Sequence, residues 1–538
     1  MARYLLFQRL KKIASEVLLE SSKKQSNPET ASGVSRREFL LGTMALTAAG
    51  RPLKAIEKFI PASVAAGSHG NVIIVGAGVS GLVASYRLTQ AGVQHQVFEA
   101  NDRLGGRIIT QNKFNDEGMF CELGGELIDL NQASIIGLCR ELNVPLEDFT
   151  DNDSGFSKIY FSHGKIRSEA EFQAAAKPLL RLMLKDMSLM SVNGNYEMPT
   201  YRKKLGPKVE ALDRMSLVEY LQSKKNSVES WLLDLVQEAY ESEFGITAGM
   251  QSALNLLALF DNDPNQSFNM YGDSDESKRV VGGNSNLILA LEKRLSGKTK
   301  IHLEHPLVKI SDKGKKLKLT FMSQGKSETV TADRVIMTVP FSVLRGVEGI
   351  DKLDLSPAKK KSIAELGYGT NSKLMIGFKE KFWRQKTGEI PPSRGTIFGD
   401  FPTQCFWETS RLQKGTHGIL TALFGGEKGL NPKPNILEAT LKDLEKIYPE
   451  ASAKVDGNKS FMTWPKLAYA KGSYSSPKVG QYTTIIGAAG EPELDRRLLF
   501  AGEHCSVQKQ GYMDGAVESG NEVAKQFLEA RERVVSEK

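Results

Sequence analysis

Cysteine is scarce in this chain. Its 538 residues hold four, Cys121, Cys139, Cys405 and Cys505, with no CxxC pair among them. That spacing argues against a disulfide framework and supplies no zinc-type ligand set, so no structural or catalytic metal is expected. Long apolar runs are also missing. The stretch LLGTMALTAAG from Leu40 is well short of the roughly 20 residues that span a bilayer. There is no internal repeat and no long low-complexity linker. The net charge is +8, but residues 1–66 hold 11 Lys/Arg against 5 Asp/Glu, so the remaining chain carries only +2. The basic excess belongs to the N-terminal segment, and a nucleic-acid surface is not expected.

A hydrophobic share of 40% and a charged share of 25% are those of a globular protein. The length implies roughly two to four domains. The N-terminal segment has its own pattern: Ser35-Arg36-Arg37-Glu38-Phe39-Leu40, the short apolar run, then small residues at Val64-Ala65-Ala66. Paired arginines ahead of a moderately apolar stretch resemble a bacterial twin-arginine export signal. Residues 1–66 are therefore expected to engage the twin-arginine translocation machinery and direct the folded protein to the periplasm. The alternative is an uncleaved leader that associates it with the inner membrane.

From Asn71 the chain reads NVIIVGAGVSGLVASYRLTQAGVQHQVFEA. Val72–Val75 is an apolar run of strand type, Gly76-x-Gly78-x-x-Gly81 a tight turn, Leu82–Gln90 a helix, and Gln96–Phe98 a second strand ending in Glu99. In this order the parts have defined tasks. Gly76 permits the turn, Gly78 lets backbone approach a pyrophosphate, and Gly81 allows close helix–strand packing. The anion meets free N–H groups at the helix N-terminus, and Glu99 accepts from ribose hydroxyls. Strand, glycines, helix, strand and acid in register specify a dinucleotide site.

The continuation is unusual for a nicotinamide enzyme. Arg103-Leu104-Gly105-Gly106-Arg107 follows at once, then Cys121-Glu122-Leu123-Gly124-Gly125-Glu126. Near the other end stand Gly502-Glu503 and Gly511-Tyr512-Met513-Asp514-Gly515-Ala516. Together these motifs resemble the FAD-dependent amine oxidases, the family of monoamine, polyamine and L-amino acid oxidases. The resemblance covers roughly residues 70–530 and is strongest at both ends. It implies an α/β fold in which a Rossmann-type FAD-binding domain (70–140, 272–350 and 465–535) is interleaved with an α+β substrate-binding domain (141–271 and 351–464). It also implies that Gly105, Gly106 and Arg107 approach the cofactor phosphates and flavin, and that Gly124 and Gly125 lie near the isoalloxazine. Glu503 matches an acid near the ribityl chain, Met513 and Ala516 belong to the C-terminal flavin segment, and Val308 falls at the adenine-contacting position.

Between these motifs, residues 300–340 show short alternating runs (IHLEH, LVKIS, KLKLTF, ETVTA, RVIMTV) that predict a β-meander. Residues 165–260 show helical periodicity in EFQAAAKPLLRLMLKDM and ESWLLDLVQEAYESEF. Met183, Met187 and Met190 read as packing residues.

Amine oxidation by a flavin asks the protein mainly to hold a neutral amine beside the cofactor. On the resemblance, Lys373 falls at the lysine that holds a water against flavin N5, while Tyr474 and Tyr512 form two walls of an aromatic cage. A buried lysine in an apolar strand is costly; the alternative is a surface lysine on a wet strand face, and for each tyrosine simple packing. Ser473 stands where mammalian monoamine oxidases carry the flavin-linking cysteine, so FAD is expected to be non-covalent. His504 is expected to make a structural hydrogen bond. Substrate class stays open among primary amines, diamines and polyamines. No GPMR-type segment supplies the carboxylate-binding arginine of L-amino acid oxidases, and Glu126 and Asp129 either face a second cation or are structural. A small-molecule amine and O2 are the expected partners, with a homodimer as one option. The rival readings are another FAD enzyme of this fold (an L-amino acid oxidase, a desaturase or a protoporphyrinogen oxidase) and a flavin-binding electron carrier without oxidase turnover.

Overall fold

Three runs of buried apolar residues build the first sheet. In the computed structural model, which describes residues 70–150, 155–192, 195–260 and 268–536, strand β1 (Val72–Val75) is followed by helix α1 (Val79–Gln90) and β2 (Gln96–Phe98). Strands β3 (Lys300–His302), β4 (Arg334–Met337) and β5 (Leu498–Phe500) complete a parallel sheet in the order β3-β2-β1-β4-β5. VIIV and LLF are buried throughout, as strands covered on both faces must be. Residues 1–66, with Arg36 and Arg37, lie outside the described residues.

The chain's two ends meet on this sheet. Helix α2 (Met513–Ser536) crosses α1, and a Cβ on Gly520 would lie 2.6 Å from the Ser80 carbonyl oxygen. The bare backbone there allows the close crossing. Ser519 Oγ lies 3.4 Å from Ser80 Oγ and accepts from Gly502 N–H, which links α1, α2 and the turn after β5.

The region 300–340 departs from the expected single meander. Only Leu307–Asp312, Leu317–Ser323 and Lys326–Ala332 form the antiparallel three-stranded sheet. Lys300–His302 and Arg334–Met337 leave it for the parallel sheet. The reason is burial: RVIM offers apolar side chains to both faces, and the ring of His302 stacks on Phe98 at 4.3 Å.

A second, seven-stranded sheet runs in the order Val455–Thr463, Ser372–Phe378, Gly418–Phe424, Cys405–Glu408, Ser393–Gly399, Ser157–Ser162, Lys165–Arg167. All its pairings are antiparallel except that of Ser393–Gly399 with Ser157–Ser162. The two expected long helices are present as Glu169–Met187 and Ser230–Phe244. Ser168 caps the first through a reciprocal capping box with Glu171. Met183, Met187 and Met190 are all fully buried, so they pack the core.

Candidate active site

The dinucleotide turn is built by close backbone contact. A Cβ on Gly81 would lie 2.1 Å from Gly76 O, so only glycine lets α1 start there. Gly78 and Gly105 form a parallel bridge, and Gly105 N–H donates to Ala77 O. The two glycine turns thus face each other, and a side chain on Gly78 would enter open space with only Gly106 Cα at 4.0 Å. No side chain caps α1 and its first turn holds no acid. Its orphan N–H groups and this bare cradle fit a pyrophosphate. Glu99 is buried beside it, accepting from Ala77 N–H and from both Asn101 nitrogens. Three contacts leave acceptor capacity for a ribose hydroxyl.

His305 N–H donates to Glu99 O, so the segment that enters the three-stranded sheet begins at this end of the cradle. Val308 follows at the register break between Leu307 and Lys309. Its carbonyl accepts from Glu348 N–H, and its side chain is partly exposed.

The second glycine pair packs under three other segments. A Cβ on Gly124 would lie 1.9 Å from Arg107 O, and one on Gly125 would lie 2.8 Å from Met513 Sδ. Asn284, which opens the helix Ser285–Leu295, donates from Nδ2 to the carbonyls of Gly125 and Glu126 and from its N–H to Glu122 Oε1. Glu503 is the strut of the C-terminal side. It accepts from Arg107 Nη1 at 2.9 Å, from Ser475 N–H and from Gly511 N–H, so it ties three segments together. Burial raises its pKa, but the Arg107 charge and the Ser475 hydrogen bonds outweigh that and hold the carboxyl below its ordinary range. Ala516 is buried in the first turns of α2.

Lys373 is buried in the strand Ser372–Phe378, which excludes a wet-face lysine. Its ammonium donates to Glu122 O at 2.9 Å, Gly124 O at 3.1 Å and Glu126 Oε2 at 2.9 Å. All three N–H groups are engaged by the glycine loop in this arrangement, so the expected water would have to share or displace one of them. Trp407 lies 5.2 Å from Nζ. Glu126 accepts a second bond from Thr409 Oγ1 at 2.6 Å.

Tyr474 and Tyr512 come from different segments, and Gly511, the residue before Tyr512, lies against Tyr474: its Cβ would be 3.6 Å from Tyr474 Cδ2. Tyr474 O–H donates to the Glu243 carbonyl. Two acids face this pair. Burial pushes the Glu243 carboxyl up to about 8, with Glu276 and Asp129 adding to the rise. Burial likewise pushes Glu276 up to about 7, with Asp129 raising it further and Arg411 and Lys158 opposing. The same carboxyls, after burial itself, drive the Tyr512 hydroxyl well above its ordinary value. No described residue donates a hydrogen bond to the side chain of Glu243 or Glu276. Asp129 is different: it accepts from Ser274 Oγ, Glu276 N–H and Gln132 Nε2. It positions the Glu276 turn.

Two expectations are refined. His504 makes no hydrogen bond: both ring nitrogens lack partners, burial pushes the imidazole down to about 4, and the ring packs 4.4 Å from Phe341. Ser473 Oγ donates to Asn371 Oδ1 at 2.6 Å, so the hydroxyl at the linking position has a structural partner. Among residues not singled out beforehand, Glu243 did leave a trace. Glu238, Glu241 and Glu243 crowd the C-terminal end of their helix with no base in its last turn, against the macrodipole. Glu276, with a left-handed φ of 48°, left none. No group of residues suited to a metal ion occurs among the described residues.

Parallel sheet, glycine cradle and C-terminal helix define a dinucleotide-binding flavoprotein. The family model for flavin containing amine oxidoreductases matches residues 79–528, and the chain belongs to that family. It is 28% identical over 491 residues to lysine-specific histone demethylase 1 homolog 2 of Arabidopsis thaliana, a match that covers 87% of this chain but only 60% of that protein. It is 24% identical over 492 residues to an L-amino-acid oxidase of Gloydius blomhoffii, covering 86% of this chain and 90% of that one. Among solved structures, putrescine oxidase bound to putrescine aligns with a TM-score of 0.70 at 21% identity, over 85% of this chain and 99% of that one. Cyclohexylamine oxidase from Brevibacterium oxydans IH-35A aligns at 0.71 and 20%, over 86% and 99%. These two likenesses are of fold. The protein is an FAD-dependent oxidoreductase acting on amines.

Proposed function

We propose that the substrate is an amine carrying a second positive charge, a diamine or polyamine. The reaction is R–CH2–NH3+ + O2 + H2O giving R–CHO + NH4+ + H2O2. The observation that carries this reading is the pair of side chains, Glu243 and Glu276, unpartnered beside the two tyrosines. Desolvated carboxyls without donors favour a cationic ligand and disfavour the α-carboxylate of an amino acid. FAD supplies the hydride acceptor. Tyr474 and Tyr512 orient the neutral reacting amine and exclude water, while Glu243 and Glu276 hold the second cation. On this reading the segments 70–140, 272–350 and 465–535 chiefly hold the cofactor and 141–271 and 351–464 chiefly the substrate, with Glu276, Tyr474 and Tyr512 reaching the substrate from the first group and Lys373 the flavin from the second. Purified holoenzyme tested with putrescine, spermidine, cyclohexylamine and leucine should produce peroxide fastest with the first two. Leucine as the best substrate would sink the proposal.

The same reading extends to location. Arg36-Arg37 and the basic segment around them support export of the folded, FAD-loaded protein through the twin-arginine route to the periplasm. Arg36→Lys with Arg37→Lys should hold active protein in the cytoplasm, and undiminished periplasmic activity would contradict export.

A further inference from the structure

The ammonium of Lys373 and the carboxylate of Glu126 lie 2.9 Å apart, and both are nearly inaccessible. An uncompensated charge at that depth is costly, whereas a hydrogen-bonded pair is tolerated. Glu126 is held from its far side too. Thr409 Oγ1 donates to it and lies 2.7 Å from Thr421 Oγ1, and Arg279 Nη1 fixes the Thr409 carbonyl at 2.7 Å. Burial raises the Glu126 pKa, but Lys373, Arg279 and Thr409 together hold it below its ordinary range, so it is the charged partner. Lys373 in turn clamps the carbonyls of Glu122 and Gly124.

We propose that Glu126 is the positioning residue of Lys373: it fixes the ammonium against the glycine loop and cancels its charge, so that the cofactor site meets a neutral pair and not a free cation. The inference rests on the amine-oxidoreductase reading of the site, in which Lys373 serves the flavin. It concerns the residues that tune the cofactor, not those that select the substrate.

Other titratable groups face this pair. Glu122 is pushed up to about 7, burial dominating, with Asn284 and Thr110 donating to it. Cys121 is pushed up to about 12 by burial; from outside the loop the Arg279 charge lowers Glu126, and Glu126 in turn raises Glu276. Below about pH 7 Glu122 is therefore protonated and offers Lys373 no second negative charge.

The test is the sulfite affinity of the oxidised holoenzyme, read from loss of flavin absorbance, because the adduct is anionic and responds to nearby charge without turnover. Glu126→Gln leaves a lone cation and should bind sulfite ~10-fold more tightly than the native protein at pH 6. Lys373→Met leaves a lone carboxylate and should weaken sulfite ~10-fold. The double variant, with no net charge, should return to within ~2-fold of native, and it keeps the test open where a single variant does not fold. Singles that shift in the same direction, or not at all, overturn the proposal, as does a double variant that stays displaced. A native enzyme reduced by no amine would defeat the functional reading and leave this comparison intact.

Discussion

Two sets of acids divide the site, one buried and one partly exposed. Glu99, Glu126 and Glu503 are each held by two or more protein donors. Glu243 and Glu276 have none among the described residues, and burial pushes them up to about 8 and about 7. The first set is architecture, hydrogen-bonded by the protein before any ligand arrives. In the second, ionising either acid is opposed by its desolvated surroundings and by its neighbouring carboxyls.

The contrast breaks most severely at the cradle. Gly81→Ala would place Cβ 2.1 Å from a backbone oxygen. The expected outcome is protein that purifies without yellow colour, checked by the ratio of flavin to protein absorbance. A normal ratio would mean that the turn is not rigid. Tyr512→Ala removes a wall while leaving the acids in place, and should slow anaerobic flavin reduction by ~10–100-fold if orientation is the main loss. Stopped-flow reduction measures this directly, and an unchanged rate would make Tyr512 a packing residue.

Glu243→Gln with Glu276→Gln sharpens the comparison from the substrate side. The KM for putrescine should rise ~30-fold, about 2 kcal/mol, while cyclohexylamine, with one charge, should respond far less. Equal losses for both amines would remove the reason to separate the two sets. A bis-guanidine inhibitor keeps its charge from pH 6 to 9. It should therefore bind more tightly as pH rises through about 7 and 8, where Glu276 and Glu243 ionise, and the double Gln variant should flatten that profile.

The smallest effect is on stability. Each of these carboxyls binds its proton more tightly in the folded protein than in the unfolded chain. Its contribution is thus complete below the ordinary value of 4.5 and is lost as pH rises through about 7 for Glu276 and about 8 for Glu243. The Tm of the native protein should fall across that window more than that of the double Gln variant. Identical slopes would show that the two acids are already solvated.

The cradle was legible because its determinants are local. Strand, glycines, helix and acid lie within thirty residues, and backbone geometry dictates the residue type at each glycine. Lys373, Tyr474 and Tyr512 were nameable only through resemblance, since a lysine or tyrosine in an apolar stretch carries no local sign of what it touches. Their placement depends on contacts such as Lys373 with the Gly124 carbonyl and Tyr474 with the Glu243 carbonyl, which span 249 and 231 positions. The five alternating runs of 300–340 show the same boundary: period alone specified strands, and burial of both faces of RVIM decided which sheet it joined. By itself, then, the sequence determined a dinucleotide turn, an FAD-type second glycine pair and the regions of helix and strand. Only the tertiary structure decided that Asp129 is bound up by Ser274 and Glu276, that Glu126 pairs with Lys373, and that no described residue donates to the side chains of Glu243 and Glu276. The pKa and pairing of a carboxyl depend on every charge and donor around it in space, and the chain order contains none of those distances.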